Sequence, residues 1–192
     1  MSRLNKRGQT ILEVVVVSGI VVGFLISVLG LLVINNKAQA DIEVQLLGNQ
    51  LAREGIELVR NIRDSNWLDP DQVWSDGLLN PNDNEGVVNM DYLTGELSID
   101  FSINNITQAR LYNHETALGN RYISYDPNNN ATPLDYYRLI TIDPVCDTAL
   151  PPQICDPVSD NIIGLKIISQ VAIEIKGVPK FFSLQDYLYN WK

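Results

Sequence analysis

The chain has 192 residues, room for one membrane helix and one modest domain. Its 14 basic residues against 23 acidic ones give a formal net charge of −9. That argues against nucleic acid as a partner, because binding a phosphate backbone relies on lysine and arginine. No P-loop, dinucleotide fingerprint, nucleophile elbow or paired-cysteine motif occurs, so neither an enzyme nor a cofactor is expected.

The chain opens on a short basic leader, Met1 to Gly8, followed by Gln9-Thr10-Ile11-Leu12-Glu13 and an apolar run from Val14 to Ile34. Between Gly8 and Lys37 the only charged residue is Glu13. A run of about 20 residues at about 1.5 Å each spans a hydrocarbon layer of roughly 30 Å. Backbone polar groups in lipid must be satisfied within the segment, so a helix is expected despite the many valines. The run is too long for the apolar part of a cleaved signal peptide, and no small-residue cleavage site follows it. Glu13 sits just inside the apolar edge. A charge at the bilayer centre costs about 2.5–3.5 kcal/mol, less near the interface, so an acid here calls for a partner. Basic residues before the run and acidic sequence after it place the N-terminus in the cytoplasm and the rest outside.

Lys6-Arg7-Gly8, then Gln9-Thr10-Ile11-Leu12-Glu13, then a hydrophobic helix, resembles the class III leader of type IV prepilins and pseudopilins. The resemblance implies that a membrane prepilin peptidase cuts between Gly8 and Gln9. It also implies that the new N-terminus, Gln9, is methylated. The acid at Glu13 is implied to neutralise the N-terminal amine of a neighbouring subunit during filament assembly. Elementary electrostatics agrees, since a buried carboxylate beside a buried ammonium removes two desolvation costs together. The chain departs from the family in having Gln9 where phenylalanine is usual, and in lacking the proline many major pilins carry in the helix. Gly23 and Gly30 are weak points there. Loss of the leader removes Arg3, Lys6 and Arg7, leaving 11 basic against 23 acidic residues, a net of −12.

Beyond the membrane run, Asn35-Asn36 could interrupt the helix, but a helical pattern resumes at once. Val44, Leu47, Leu51, Gly55, Leu58 and Ile62 share one face at 3.6-residue spacing. Glu43, Arg53, Glu54, Glu57, Arg60 and Asp64 fall mostly opposite, with Arg53–Glu57 and Arg60–Asp64 as expected i,i+4 pairs. The helix is expected to reach about Asp64, with Asp69-Pro70 as its stop. Gly55, on the apolar face, would let a sheet approach closely. The segment Leu51 to Trp67 resembles the PilV-like group of minor pilins.

Asp69 to Gly86, rich in Asp, Asn, Pro and Gly, reads as a loop, flanked by Trp67 with Trp74 within it. Asn80, Asn82, Asn84 and Asp91 loosely echo a calcium loop, but Glu85 stands where its sharp turn needs glycine, so no metal is expected. Val87 to Tyr92 and Glu96 to Ile103, joined through Thr94-Gly95, read as a hairpin. Asn104 to Asn130 is mixed, ending in the polar turn Asp126 to Asn130. His114, the single histidine, has no catalytic company and reads as a surface residue. Tyr136 to Ile142 alternates as a strand, with Tyr136, Arg138 and Ile140 on one side. Cys146 and Cys155 read as one disulfide closing a small loop outside the cytoplasm; no further ligands cluster with them for a metal. Ile162 to Ile175 is the strongest strand. Gly177 ends it and Pro179 to Leu184 returns beside it. Ser183-Leu184-Gln185-Asp186 has the spacing of a cap for a short final helix through Trp191, and this ending also resembles the minor-pilin group.

The expected architecture is α+β: a long N-terminal helix, its first half transmembrane, packed on a small, mainly antiparallel β-sheet. The expected divisions are 1–8 leader, 9–34 assembly helix, 35–66 amphipathic half, and 67–192 extracytoplasmic domain. The function expected from the resemblance is that of a minor pilin or pseudopilin. Its partners would be prepilin peptidase, other pilin or pseudopilin subunits, a membrane assembly platform and cytoplasmic-membrane lipid. The alternative is a membrane-tethered binding or adhesion module held by an uncleaved anchor, for which exposed aromatics such as Trp67 and Trp74 would serve recognition.

Overall fold

The computed structural model describes residues 6–91, 94–115, 121–125, 131–147, 155 and 161–190. The elements are α1 (Lys6–Leu68), β1 (Glu85–Met90), β2 (Leu97–Asp100), β3 (Arg110–Glu115), β4 (Arg121–Ser124), β5 (Thr132–Cys146), β6 (Ile162–Ile175) and β7 (Val178–Tyr189). The fold is α+β, with one long N-terminal helix packed on an antiparallel sheet. The chain falls into two structural units, Met1–Val44 and Gln45–Lys192.

Among its described residues the first unit is helix alone. Asn35-Asn36 does not interrupt α1, since two helix-compatible polar residues cost little once the ladder is running.

In the second unit the sheet is built around β5. One edge of β5 pairs with β6 from Tyr136↔Ile173 to Cys146↔Ile162. Its other edge is shared between β3, at Arg110↔Tyr137 to Asn113↔Thr132, and β1, at Glu85↔Thr141 and Gly86↔Ile140. β2 extends the sheet beyond β1, β4 beyond β3, and β7 beyond β6. The β6–β7 turn is Lys176-Gly177, both with positive φ, 51° and 79°, the two-residue hairpin geometry that matches strand twist.

Strand alternation splits the interior into two layers. Ile140 and Ile142 of β5 join Leu165, Ile167, Val88 and Leu188 against Ile56, Val59 and Ile62 of α1. Trp74 lies in this core and Trp67 packs against it, so these tryptophans are core residues rather than recognition surfaces. On the opposite face Leu139, Val87 and Ala109 are buried beneath Ile103, Ile106 and Tyr125.

The buried stripe of α1 is rotated slightly from the expected face. It runs through Gly48, Leu51, Ala52, Gly55, Ile56, Val59 and Ile62 to Arg63 and Asn66, while Leu58 is half-buried at its side. Two other expectations are corrected. Arg60 bonds Glu57 at 2.6 Å and Asp186 at 2.7 Å, and Asp64 takes Arg63 at 2.7 Å, so two local pairs and one tertiary contact replace the Arg60–Asp64 pair. The expected final helix is a strand: Ser183 to Tyr189 continues β7, paired residue by residue with β6. Period-2 alternation of Phe182, Leu184 and Leu188 outweighs the cap-like Ser183 to Asp186 spacing; Trp191 lies outside the described residues.

Candidate functional site

The residues of the expected site divide between the two units. Gly8 and Gln9 lie in the first turn of α1, and Glu13 follows Gln9 by four residues in the sequence. From Ile11 to Ile34 every side chain is exposed except Val28, which is intermediate. This stretch has mean hydropathy 2.8 and none of it is buried. At about 1.5 Å per residue it is long enough to cross a bilayer. An apolar surface this continuous is not tolerated in water and requires lipid or other helices around it. Its polar groups are handled internally: Ser18 Oγ donates to the Val15 carbonyl at 2.9 Å, and Ser27 Oγ to that of Gly23 at 3.0 Å. Glu13 is the exception. With Val14, Val17, Ser18 and Val21 it lines an open groove along the helix, a carboxylate set in an apolar surface.

The disulfide is present. Cys146, the last residue of β5, is bonded to Cys155, with Cα atoms 5.9 Å apart. It ties off the connection to β6 where the two strands still pair at Cys146↔Ile162. Residues 148–154 of its loop lie outside the described set.

Between α1 and the sheet lies a polar arrangement that the sequence analysis did not single out. Arg138 of β5 points at α1 from the same face as Ile140, and its side chain is 2% exposed. Its Nη1 donates to the Leu51 carbonyl at 3.3 Å and stands 3.4 Å from Glu54 Oε2. Its Nη2 and the fully buried Ser169 Oγ have no partner among the described residues. Burial pulls the Arg138 guanidinium below its usual range, and Glu54 opposes that shift. The signal was in the alternation: Arg138 shares an inward face with Ile140. Gly55 makes the close approach possible, and Gly48 does the same against the ring of Phe182.

His114 is buried, 3% exposed, which corrects the surface reading. β3 is enclosed between β4 and β5, so its inward positions are core positions whatever residue occupies them. Asn84 Nδ2 donates to Asp143 at 2.7 Å, and Lys166 stands 3.6 Å from the same carboxylate. Asp83 accepts from Asn104 at 2.8 Å and from the Glu85 amide at 3.2 Å. These bonds, Asn104's first, hold its carboxyl below the usual range. They organise the loop that precedes β1, and no group of three or more metal-ligating side chains occurs among the described residues.

Compared with models of protein families, with curated proteins and with solved structures, the chain matches none.

Proposed function

We propose that the chain is a minor type IV pilin or pseudopilin: cut by a prepilin peptidase between Gly8 and Gln9, held in the cytoplasmic membrane by α1, and assembled into a filament through that helix. The observation that carries this reading is the combination of a basic leader ending in Gly8, a lone acid at Glu13, and an exposed apolar helix running on into the helix that packs against the sheet. Any one of the three is common; together they define a subunit whose apolar segment exchanges lipid for neighbouring helices.

The chemistry is electrostatic. Cleavage converts the Gln9 amide into a cationic amine at a helix start, where the positive end of the helix dipole already lies. That amine, buried among apolar helices, needs an anion, and Glu13 of a neighbouring subunit supplies it. A helix-to-helix contact repeated without closing yields a filament rather than a ring. The partners are then the peptidase, other pilin or pseudopilin subunits and the assembly platform, with the domain outside the cytoplasm, where the disulfide is stable.

The test is intact mass and N-terminal sequencing of the protein from membranes with and without a prepilin peptidase. A peptidase-dependent start at Gln9 is the expected result, and an added methyl would identify the modification of Gln9. A start at Met1 in both samples would overturn the reading and leave a domain on an uncleaved anchor. Glu13→Leu is expected to be cut normally and to stay out of filaments.

A further inference from the structure

β7 ends the sheet, and among the described residues no strand lies along its far edge. The register shows which backbone groups face that edge. The Asn190 amide donates to the Ile163 carbonyl at 2.9 Å, and these residues continue the register in which Gly164 faces Tyr189. Directly opposed residues in an antiparallel ladder alternate between hydrogen-bonded and non-bonded pairs. The even-numbered residues of β7 therefore bond β6, and Phe181, Ser183, Gln185, Tyr187 and Tyr189 turn their amides and carbonyls outward. The Tyr187 amide is taken by the Asp186 carboxylate at 2.8 Å.

Open edges are ordinarily blunted by proline, lysine, a bulge or shortness. β7 has Pro179 and Lys180 near its start, but it is 12 residues long with unbroken register, and Phe181 to Gln185 carries no charge. The same odd positions present Phe181, Tyr187 and Tyr189 on the sheet face away from α1, 57%, 44% and 50% exposed. Beside Phe181, residues Tyr137, Ala172 and Pro179 help line a cleft of about 270 Å³. On the other side, the flank of α1 that reaches Asp186 through Arg60 also carries exposed Arg53, seven residues or about two turns earlier.

We propose that the outer edge of β7 accepts an extended segment of a partner protein as an added strand, with apolar side chains toward Phe181 and its cleft and acidic ones toward Arg53. Main-chain bonds would supply affinity and alternate side chains specificity. Arg53 on that flank favours acidic residues in a chain that is otherwise strongly acidic.

The experiment is amide hydrogen exchange on the full chain in detergent micelles, with an acetylated seven-residue peptide alternating valine and glutamate and its valine–lysine counterpart as probes. The glutamate peptide is expected to slow exchange at Phe181, Ser183 and Gln185 by at least about tenfold, a local protection, and to leave Phe182 and Leu184, already bonded to β6, unchanged. Ser183→Pro removes an outward donor, which an edge strand tolerates, and is expected to abolish the effect in a folded protein. Arg53→Glu, at an exposed position, should transfer the preference to the lysine peptide and carries the test if the proline variant does not fold. Absence of slowing with either peptide, or equal slowing with both, would overturn the proposal. So would a protein whose edge amides are already protected and which sediments as a symmetric dimer. A chain left uncut at Gly8 would sink the pilin reading while leaving this measurement intact.

Discussion

Gly55 lets α1 approach the centre of the sheet through a position without a side chain, and Gly55→Ala tests that packing. A methyl there would lie 2.5 Å from Ser169 Oγ, 2.8 Å from Ile140 Cδ1 and 3.0 Å from Arg138 Cδ. None of the three has space to retreat: they are 0%, 1% and 2% exposed. Overfilling a packed core costs about 1–3 kcal/mol. Alanine returns about 1 kcal/mol of helix propensity over glycine. With three simultaneous overlaps the first effect falls in its upper range, so the net expectation is a loss of about 1–2 kcal/mol. For a domain of this size that lowers the thermal midpoint by roughly 3–8 °C. Tryptophan fluorescence against urea or temperature, in micelles, reads the domain, because Trp67 and Trp74 belong to the core. Gly55→Val should cost more. Ser169→Ala in the Gly55→Ala background should recover part of the loss through a coupling of about 0.5–1 kcal/mol, as contacting residues do. A midpoint that rises by the full helix-propensity gain would refute the close approach of α1 to β5 and β6.

Three further predictions concern the same unit. Glu54→Ala strands the Arg138 charge in the core and is expected to cost about 2 kcal/mol, below the usual figure for a buried pair because Glu54 is partly solvated; Arg138→Met should be neutral or stabilising in the same urea titration. Replacing both Cys146 and Cys155 by serine, or reducing the disulfide, is expected to lower stability by about 2–3 kcal/mol in the chain-entropy model, read as a fall in the urea midpoint that oxidation restores in the wild type. Burial, with Asp100 and Tyr112 adding to it, raises the pKa of Tyr125. A raised folded-state value means stability is full below the ordinary phenol range and is lost as pH climbs through the folded value. The urea midpoint should therefore fall above about pH 10, and Tyr125→Phe should flatten that alkaline limb.

Much of this architecture was written in local pattern. The apolar run, the amphipathic continuation of α1, the Thr94-Gly95 hairpin, the alternation around Tyr136 to Ile142 and the whole of β6 follow from periodicity and turn residues, because each element's neighbours in sequence are also its determinants. β3 and β4 were not resolved in the mixed stretch from Asn104, since neither carries a clean alternation. The end of β7 misled for a related reason: Ser183 to Asp186 satisfies a helix-cap spacing, yet twelve residues of pairing with β6 outweigh one local hydrogen bond.

For the candidate site the division is similar. The sequence by itself singled out Gly8, Gln9 and Glu13 as candidates and specified the long apolar helix that the structure shows, because a charge in an apolar run and a cleavage-like junction are properties of adjacent residues. It also paired Cys146 with Cys155, the only two cysteines of the chain. Only the tertiary structure decided that His114 is core, that Arg60 turns to Asp186 on β7, that Arg138 meets Glu54 beneath α1, and that the odd-numbered groups of β7 face an open edge. Each depends on which elements enclose a residue, and that follows from strand order and helix placement across more than a hundred residues of chain.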